Sequence, residues 1–364
     1  IYIIITLLIH FCLLLFLLFF LMSVFDSNES FNWLCSVYDP ALRNDSLLNL
    51  GKNRQQFEDL GPVIWNSPGQ VTILLQEIIS LYPYLTGNSP SLVLTPELSN
   101  RVCNVLVLFQ CIALHPDTKM ELINAQIPSY LFPFLQSATN NPINNNLKQQ
   151  IDMSENILKS REFEYLKLTS LGVFGSLVKS DSFEVIKYLL STEIVPQCLK
   201  IMEVSSELSK TVALFIFMRI ILNENGLNYI CLNEVRLVSV INVLNSMVSN
   251  ISPTNNSTNN NSNTANANNN NPNGKNGNDN NAHPGRILKN LLRCYLRLCD
   301  DLSVRSIVKE KIPASLVIAL DPQQQVNQEY IQLYENVKAI RGIISEDATV
   351  NKLLKQLLEA LGLP

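Results

Sequence analysis

Histidine is nearly absent from this sequence: the chain of 364 residues has three, His10, His115 and His283. None is paired in sequence with a nucleophile or a set of metal ligands, and HExxH, P-loop and GxGxxG patterns are all missing. Acids such as Glu77, Glu184 and Glu207 read most simply as capping and solvated positions. No catalytic residue, metal ligand or cofactor site can be nominated, so the sequence points away from an enzyme. No CxxC pair occurs among the eight cysteines, which mostly lie on apolar helix stripes, as reduced buried thiols do. An excess of positive charge is also lacking. The 27 basic and 31 acidic residues leave a net charge of −4, which gives no general attraction to nucleic acid or anionic membrane.

No Lys or Arg occurs before Arg43, although residues 1–21 form an apolar run long enough to cross a bilayer. Without a basic flank the run fits neither a signal peptide nor an oriented span. Met22 and the polar residues after it read as a native start, with 1–21 an in-frame upstream translation and no membrane contact. A real anchor is the alternative reading.

What is present is helical periodicity. From Phe163 to Leu222 apolar residues recur at three-and-four spacing, which predicts three or four consecutive helices. Asp181 with Glu184, Pro196, and Ser205 or Ser206 mark helix starts. Val212 to Ile221 is apolar nearly all round, so that helix is expected to be buried. Thr169, Ser170, Gly172, Gly175 and Ser176 crowd the middle of the first helix, as close approach of a second helix requires. Upstream, a turn at Asn66-Ser67-Pro68-Gly69 leads into a helix from Val71 to Leu81. Thr95-Pro96 opens a helix that His115-Pro116 stops.

The pair of an apolar residue and a helix-opening proline recurs at Ile127-Pro128, Val195-Pro196 and Ile312-Pro313. With the polar insertions set aside, the spacing is about 40 residues or a multiple of it, the period of armadillo and HEAT arrays. The predicted fold is an all-α, armadillo/HEAT-like helical-repeat solenoid of about six repeats with disordered polar insertions. It divides into an amino-terminal helical extension (22–50), a repeat domain (51–320) with insertions at 138–160 and 250–285, and carboxy-terminal helices (321–364). The Asn-rich second insertion cannot form a packed core. A condensate-forming tract and a neutral expansion are its two readings. Arg286, Lys289, Arg293 and Arg297, spaced three, four and four apart, project from one helix face. With Lys210 or Arg101 they make a basic groove for phosphates, or else an ordinary solvated face.

Several ordered blocks resemble one family: SNRVCNVLVLFQCIALHPDTK, IPSYLFPFL, FEYLKLTSLGVFGSLVKSD, EVIKYLLSTEIVPQCLKIME, SELSKTVALFIFMRIIL, GLNYIC and RCYLRLCDD. They resemble the cell-differentiation protein family (Rcd-type), the armadillo-repeat subunit of the CCR-NOT deadenylase complex. The likeness covers most of residues 50–317, and both insertions depart from the family's pattern. The resemblance implies a non-enzymatic adaptor that docks on the NOT scaffold subunit, through Trp65, Asn66, Pro68, Thr72 and Ile79, and recruits partners or messages for mRNA deadenylation, decay and translational repression. Catalysis would belong to other subunits. It also implies a groove for single-stranded nucleic acid; the expected location is the cytoplasm, in P-bodies, and also the nucleus, and the sequence leaves monomer and homodimer as two open states. Animal members hold tryptophans from short motifs of RNA-binding or silencing proteins near GLNYIC and RCYLRL. Arg236 and Arg305 fit that surface, but Glu234 and Ser303 stand where an aromatic and a second basic side chain are expected. The alternative function is a free-standing nucleic-acid-binding solenoid that regulates transcription or differentiation.

Overall fold

The computed structural model describes residues 28–85, 93–136, 156–252, 284–321 and 331–363. The hydrophobic run 1–21, Met22 and most of both polar insertions lie outside the described residues. Among the described residues the fold is all-α, without a strand, and of the helical-repeat class expected. The chain forms two compact units that divide at Tyr188 and Leu189.

In the first unit, helices Asn28–Ser36, Arg43–Asn53, Leu60–Asn66 and Gln70–Ile79 precede the long helix Pro96–Leu114. Thr95 starts that helix as predicted, its hydroxyl oxygen accepting from the Leu98 N–H at 3.4 Å with Pro96 in the first turn. The helix is long and apolar enough to cross a membrane. However, it buries Val102, Val105, Leu106, Phe109 and Ile112, and packs along Arg161–Leu177 as a core helix. The small residues of the latter explain the approach only in part. A Cβ on Gly172 would fall 2.4 Å from the Gln110 side chain, whose amide donates to the Thr169 carbonyl at 2.9 Å. A Cβ on Gly175 would meet nothing within 4 Å beyond its own helix backbone.

Two local expectations change. Ile127–Leu135 is a 3-10 segment and not an α-helix. Pro128 and Pro133 remove two N–H donors from its nine residues, which weakens the longer α-type ladder. The helix after Leu177 begins at Phe183 and is capped by Ser182, not Asp181. The Ser182 hydroxyl accepts from the Val185 N–H at 3.4 Å and donates to Glu184 at 2.8 Å.

The second unit continues through Ile194–Val204, Glu207–Leu222, Glu224–Cys231, Glu234–Ser249, Pro284–Leu298, Leu302–Lys311, Ala314–Leu320, Ile331–Glu346 and Ala348–Leu361. Glu207–Leu222, capped by Ser206, lies between Ile194–Val204 and Pro284–Leu298, which accounts for its apolar residues on nearly every side. Pro196 is in the first turn of its helix, whereas Pro313 is the cap residue itself. Two asparagines, Asn336 buried and Asn245 half-buried, join distant helices. Asn336 donates to the carbonyls of Val248 and Ile251 at 2.7 and 2.8 Å, at the end of Glu234–Ser249 where carbonyls lack helical partners. Asn245 donates to the Lys311 carbonyl at 2.7 Å and accepts from the Tyr295 hydroxyl at 2.6 Å.

Candidate functional site

The five residues nominated for scaffold docking occupy one helix-turn-helix. Trp65 and Asn66 end Leu60–Asn66, Pro68 is in the turn, and Thr72 and Ile79 are on Gln70–Ile79. Thr72 and Ile79 are seven residues apart, two helical turns, and so share a face. Asn66, Pro68, Thr72 and Ile79 are exposed, Ile79 to 42%, while Trp65 is half-buried. The turn is fixed from below. Gly69 adopts φ 79°, a conformation that side chains disfavour, and the Tyr38 hydroxyl donates to the Pro68 carbonyl at 2.7 Å. Gln70, beneath the turn, donates to the Leu34 carbonyl at 2.8 Å. The result is a preorganised apolar ridge with a polar rim.

The inner face of the same helix holds Glu77, which the sequence reads as a solvated acid. Instead its side chain is 7% exposed and accepts from Arg43 at 2.9 Å and Arg101 at 2.5 Å. Those three side chains tie Gln70–Ile79 to Arg43–Asn53 and Pro96–Leu114. Helical spacing carries the signal that would have revealed this: Glu77 falls beside Leu74 and Ile78, on the apolar stripe.

Arg101 is thus engaged in the first unit. In the second unit Lys210 meets Glu207 at 3.3 Å, and Lys289 meets Asp347 at 2.7 Å. Each guanidinium nitrogen of Arg297 has a partner, Glu224 at 2.5 Å, Asp300 at 2.8 Å and the Ile221 carbonyl at 3.2 Å. The four basic residues of Pro284–Leu298 do share its polar face. Only Arg286 and Arg293 are exposed there, and among the described residues neither has an acidic partner.

On the third surface, Arg236 stacks 3.7 Å above the Tyr229 ring centroid and donates to the Tyr229 carbonyl. Arg305 donates twice to the Cys299 carbonyl, at 3.0 and 2.9 Å. Glu234 and Ser303 are exposed. Sequence reasoning missed the apolar residues beside them: Leu232, Val235 and Leu302 are 87%, 81% and 75% exposed. Burial, and then the carboxylate of Asp301 that caps Leu302–Lys311, push the Cys231 thiol up to about 11. Among the described residues no group of His, Cys, Asp and Glu is placed to hold a metal ion.

The family model described as "Cell differentiation family, Rcd1-like" matches residues 33–151 and 154–264. The chain belongs to this family. It is 44% identical to Protein CAF40 of Saccharomyces cerevisiae over 291 residues, 80% of this chain, and spans 65% of that protein's length. It is 41% identical to Cell differentiation protein rcd1 of Schizosaccharomyces pombe over 286 residues, 79% of this chain and 83% of the relative. The model match spans the helix-turn-helix of Trp65 to Ile79 and ends before Pro284–Leu298.

Proposed function

We propose that this Rcd1-family chain is a non-enzymatic adaptor subunit of the CCR-NOT complex. It docks on the NOT scaffold and brings partners or messages to the deadenylase, in the cytoplasm, in P-bodies and in the nucleus. The observation that carries this reading is the exposed ridge of Pro68, Thr72 and Ile79, held rigid by Tyr38 below the turn and Glu77 behind the helix. A fixed apolar patch with a polar rim suits a partner helix, because little conformational freedom remains to be lost on binding. Adaptor action needs no chemistry from this chain. Tethering raises the effective concentration of the deadenylase at the poly(A) tail.

Short motifs of RNA-binding or silencing proteins are proposed to use the surface of Leu232, Val235 and Leu302. With Glu234 and Ser303 present, an aliphatic platform stands where a tryptophan site would want an aromatic one. The rival reading, a free-standing nucleic-acid-binding solenoid, rests on Arg286 and Arg293. It is the weaker, since Arg101, Lys210, Lys289 and Arg297 are already paired with acids.

Affinity purification from native cells, with mass spectrometry of the partners, tests the proposal. Recovery of the NOT scaffold and the deadenylase subunits supports it. Recovery of nucleic acid with no scaffold favours the rival.

A further inference from the structure

Two lysines of the first unit are buried, and they differ in what they meet. Lys167 lies 3.1 Å from the Glu164 carboxylate and over the Phe163 ring. Lys119, on Pro116–Asn124, is 6% exposed, and its Nζ donates to the Ser180 hydroxyl at 2.5 Å. Among the described residues no carboxylate reaches it. A buried ammonium is ordinarily paired with an anion, because a neutral oxygen compensates its lost hydration only partly. Burial accordingly lowers the Lys119 pKa from its ordinary value. Ser180 itself is exposed. It lies in the short non-helical connection after Leu177 and before Phe183, where the Ser182 N–H donates to its carbonyl at 3.0 Å.

We infer that Ser180 is a phosphorylation site, and that Lys119 is the built-in receptor for the phosphate. The hydroxyl is open to a kinase on one side and already in contact with the cation on the other. In the reaction the Ser180 Oγ–P bond forms as the bond from the γ-phosphorus of ATP to its β,γ-bridging oxygen breaks. The hydroxyl proton passes to the kinase's base, and ADP leaves. The phosphate carries a charge of about −1.5 to −2 near pH 7 and three acceptor oxygens, so it gives Lys119 the anion it lacks. A hydrogen bond from the ammonium to a neutral hydroxyl becomes one in which both partners are ionised, an ammonium–phosphate ion pair. The exposed carboxylate of Asp181, beside Ser180, opposes this from water, where salt screens it. The modification therefore pins the connection between Arg161–Leu177 and Phe183–Leu190 onto Pro116–Asn124.

The test uses the full chain with phosphoserine genetically encoded at position 180. Its melting temperature is compared with that of the unmodified chain, in the native background and in Lys119→Met and Lys119→Arg backgrounds. The expected result is a rise of about 2–4 °C on phosphorylation, kept with arginine and lost with methionine. A fall, no change, or an equal rise with methionine would overturn the receptor role. Mass spectrometry of protein from native cells should find phosphate on the peptide containing Ser180, and recovery of that peptide only unmodified would overturn the site.

Discussion

Glu77 lies 2.5 Å from Arg101 on the inner side of the helix whose outer side presents Thr72 and Ile79. Arg43 shares the same carboxylate oxygen at 2.9 Å. The proposed docking helix is thus held from its inner side by an ion triad. Replacing Glu77 by Ala would leave two guanidinium groups facing each other without an anion. The expected cost is about 3 kcal/mol, at the low end for buried pairs because Arg101 keeps access to water. Denaturant unfolding measures it. Scaffold affinity should fall as well, through misplacement of the ridge.

The two glycines Gly226 and Gly175 should respond to alanine in opposite directions. A Cβ on Gly226 would fall 1.9 Å from the Ile220 carbonyl oxygen, so the junction of Glu207–Leu222 and Glu224–Cys231 would have to shift. Gly226→Ala should therefore destabilise by about 3 kcal/mol or more. Gly175→Ala meets nothing within 4 Å and should stabilise by about 0.5–1 kcal/mol. Thermal melts of the two variants against the parent chain decide the matter.

Asn336→Leu would strip donors from the Val248 and Ile251 carbonyls, which are bonded across 88 and 85 residues of sequence. A loss of about 1–3 kcal/mol is expected from leaving the Ile251 carbonyl without its donor, whereas the Val248 carbonyl keeps the Ile251 N–H at 3.1 Å. Hydrogen exchange should report the loss first at the end of Glu234–Ser249.

The pair of Lys289 and Asp347 sets an acid limit. Hydrogen bonding and charge from Lys289 hold the Asp347 carboxyl down at about 2, below its ordinary value of 3.8. Because the folded pKa is the depressed one, the contribution to stability is fully present above about pH 4 and is lost as the pH falls toward 2. Asp347→Asn should flatten that part of the stability profile and leave the neutral range with little pH dependence.

The helices were legible in the sequence because their signals are local. Thr95-Pro96, Ser206 and the apolar stripe of Arg161–Leu177 each act within a turn or two. Ile127–Leu135 was misread because the proline that opens a helix looks the same whether an α or a 3-10 ladder follows. Asp181 was read as the cap because two candidate oxygens precede Phe183, and only geometry selects Ser182. In the site, the turn at Asn66-Ser67-Pro68-Gly69 was legible from its own residues, whereas Trp65, Thr72 and Ile79 were nominated only through the family resemblance. Partners that come from far along the chain could not be read. Nothing near Glu77 in sequence announces Arg43, and nothing near Arg297 announces Glu224. Spacing places Arg286, Lys289, Arg293 and Arg297 on one face, but it could not show that Arg101, Lys210, Lys289 and Arg297 each meet an acid.

The ridge of Pro68, Thr72 and Ile79 is proposed to bind the NOT scaffold. The most direct measurement is calorimetric titration of the scaffold's binding segment into the full chain and its Ile79→Asp variant, with circular dichroism to verify that both are folded. The aspartate is expected to lower affinity at least about 30-fold, since a desolvated charge costs about 2 kcal/mol or more at an apolar contact, while the helical signal and melting temperature stay near those of the parent. Equal affinities for the two folded proteins would contradict it.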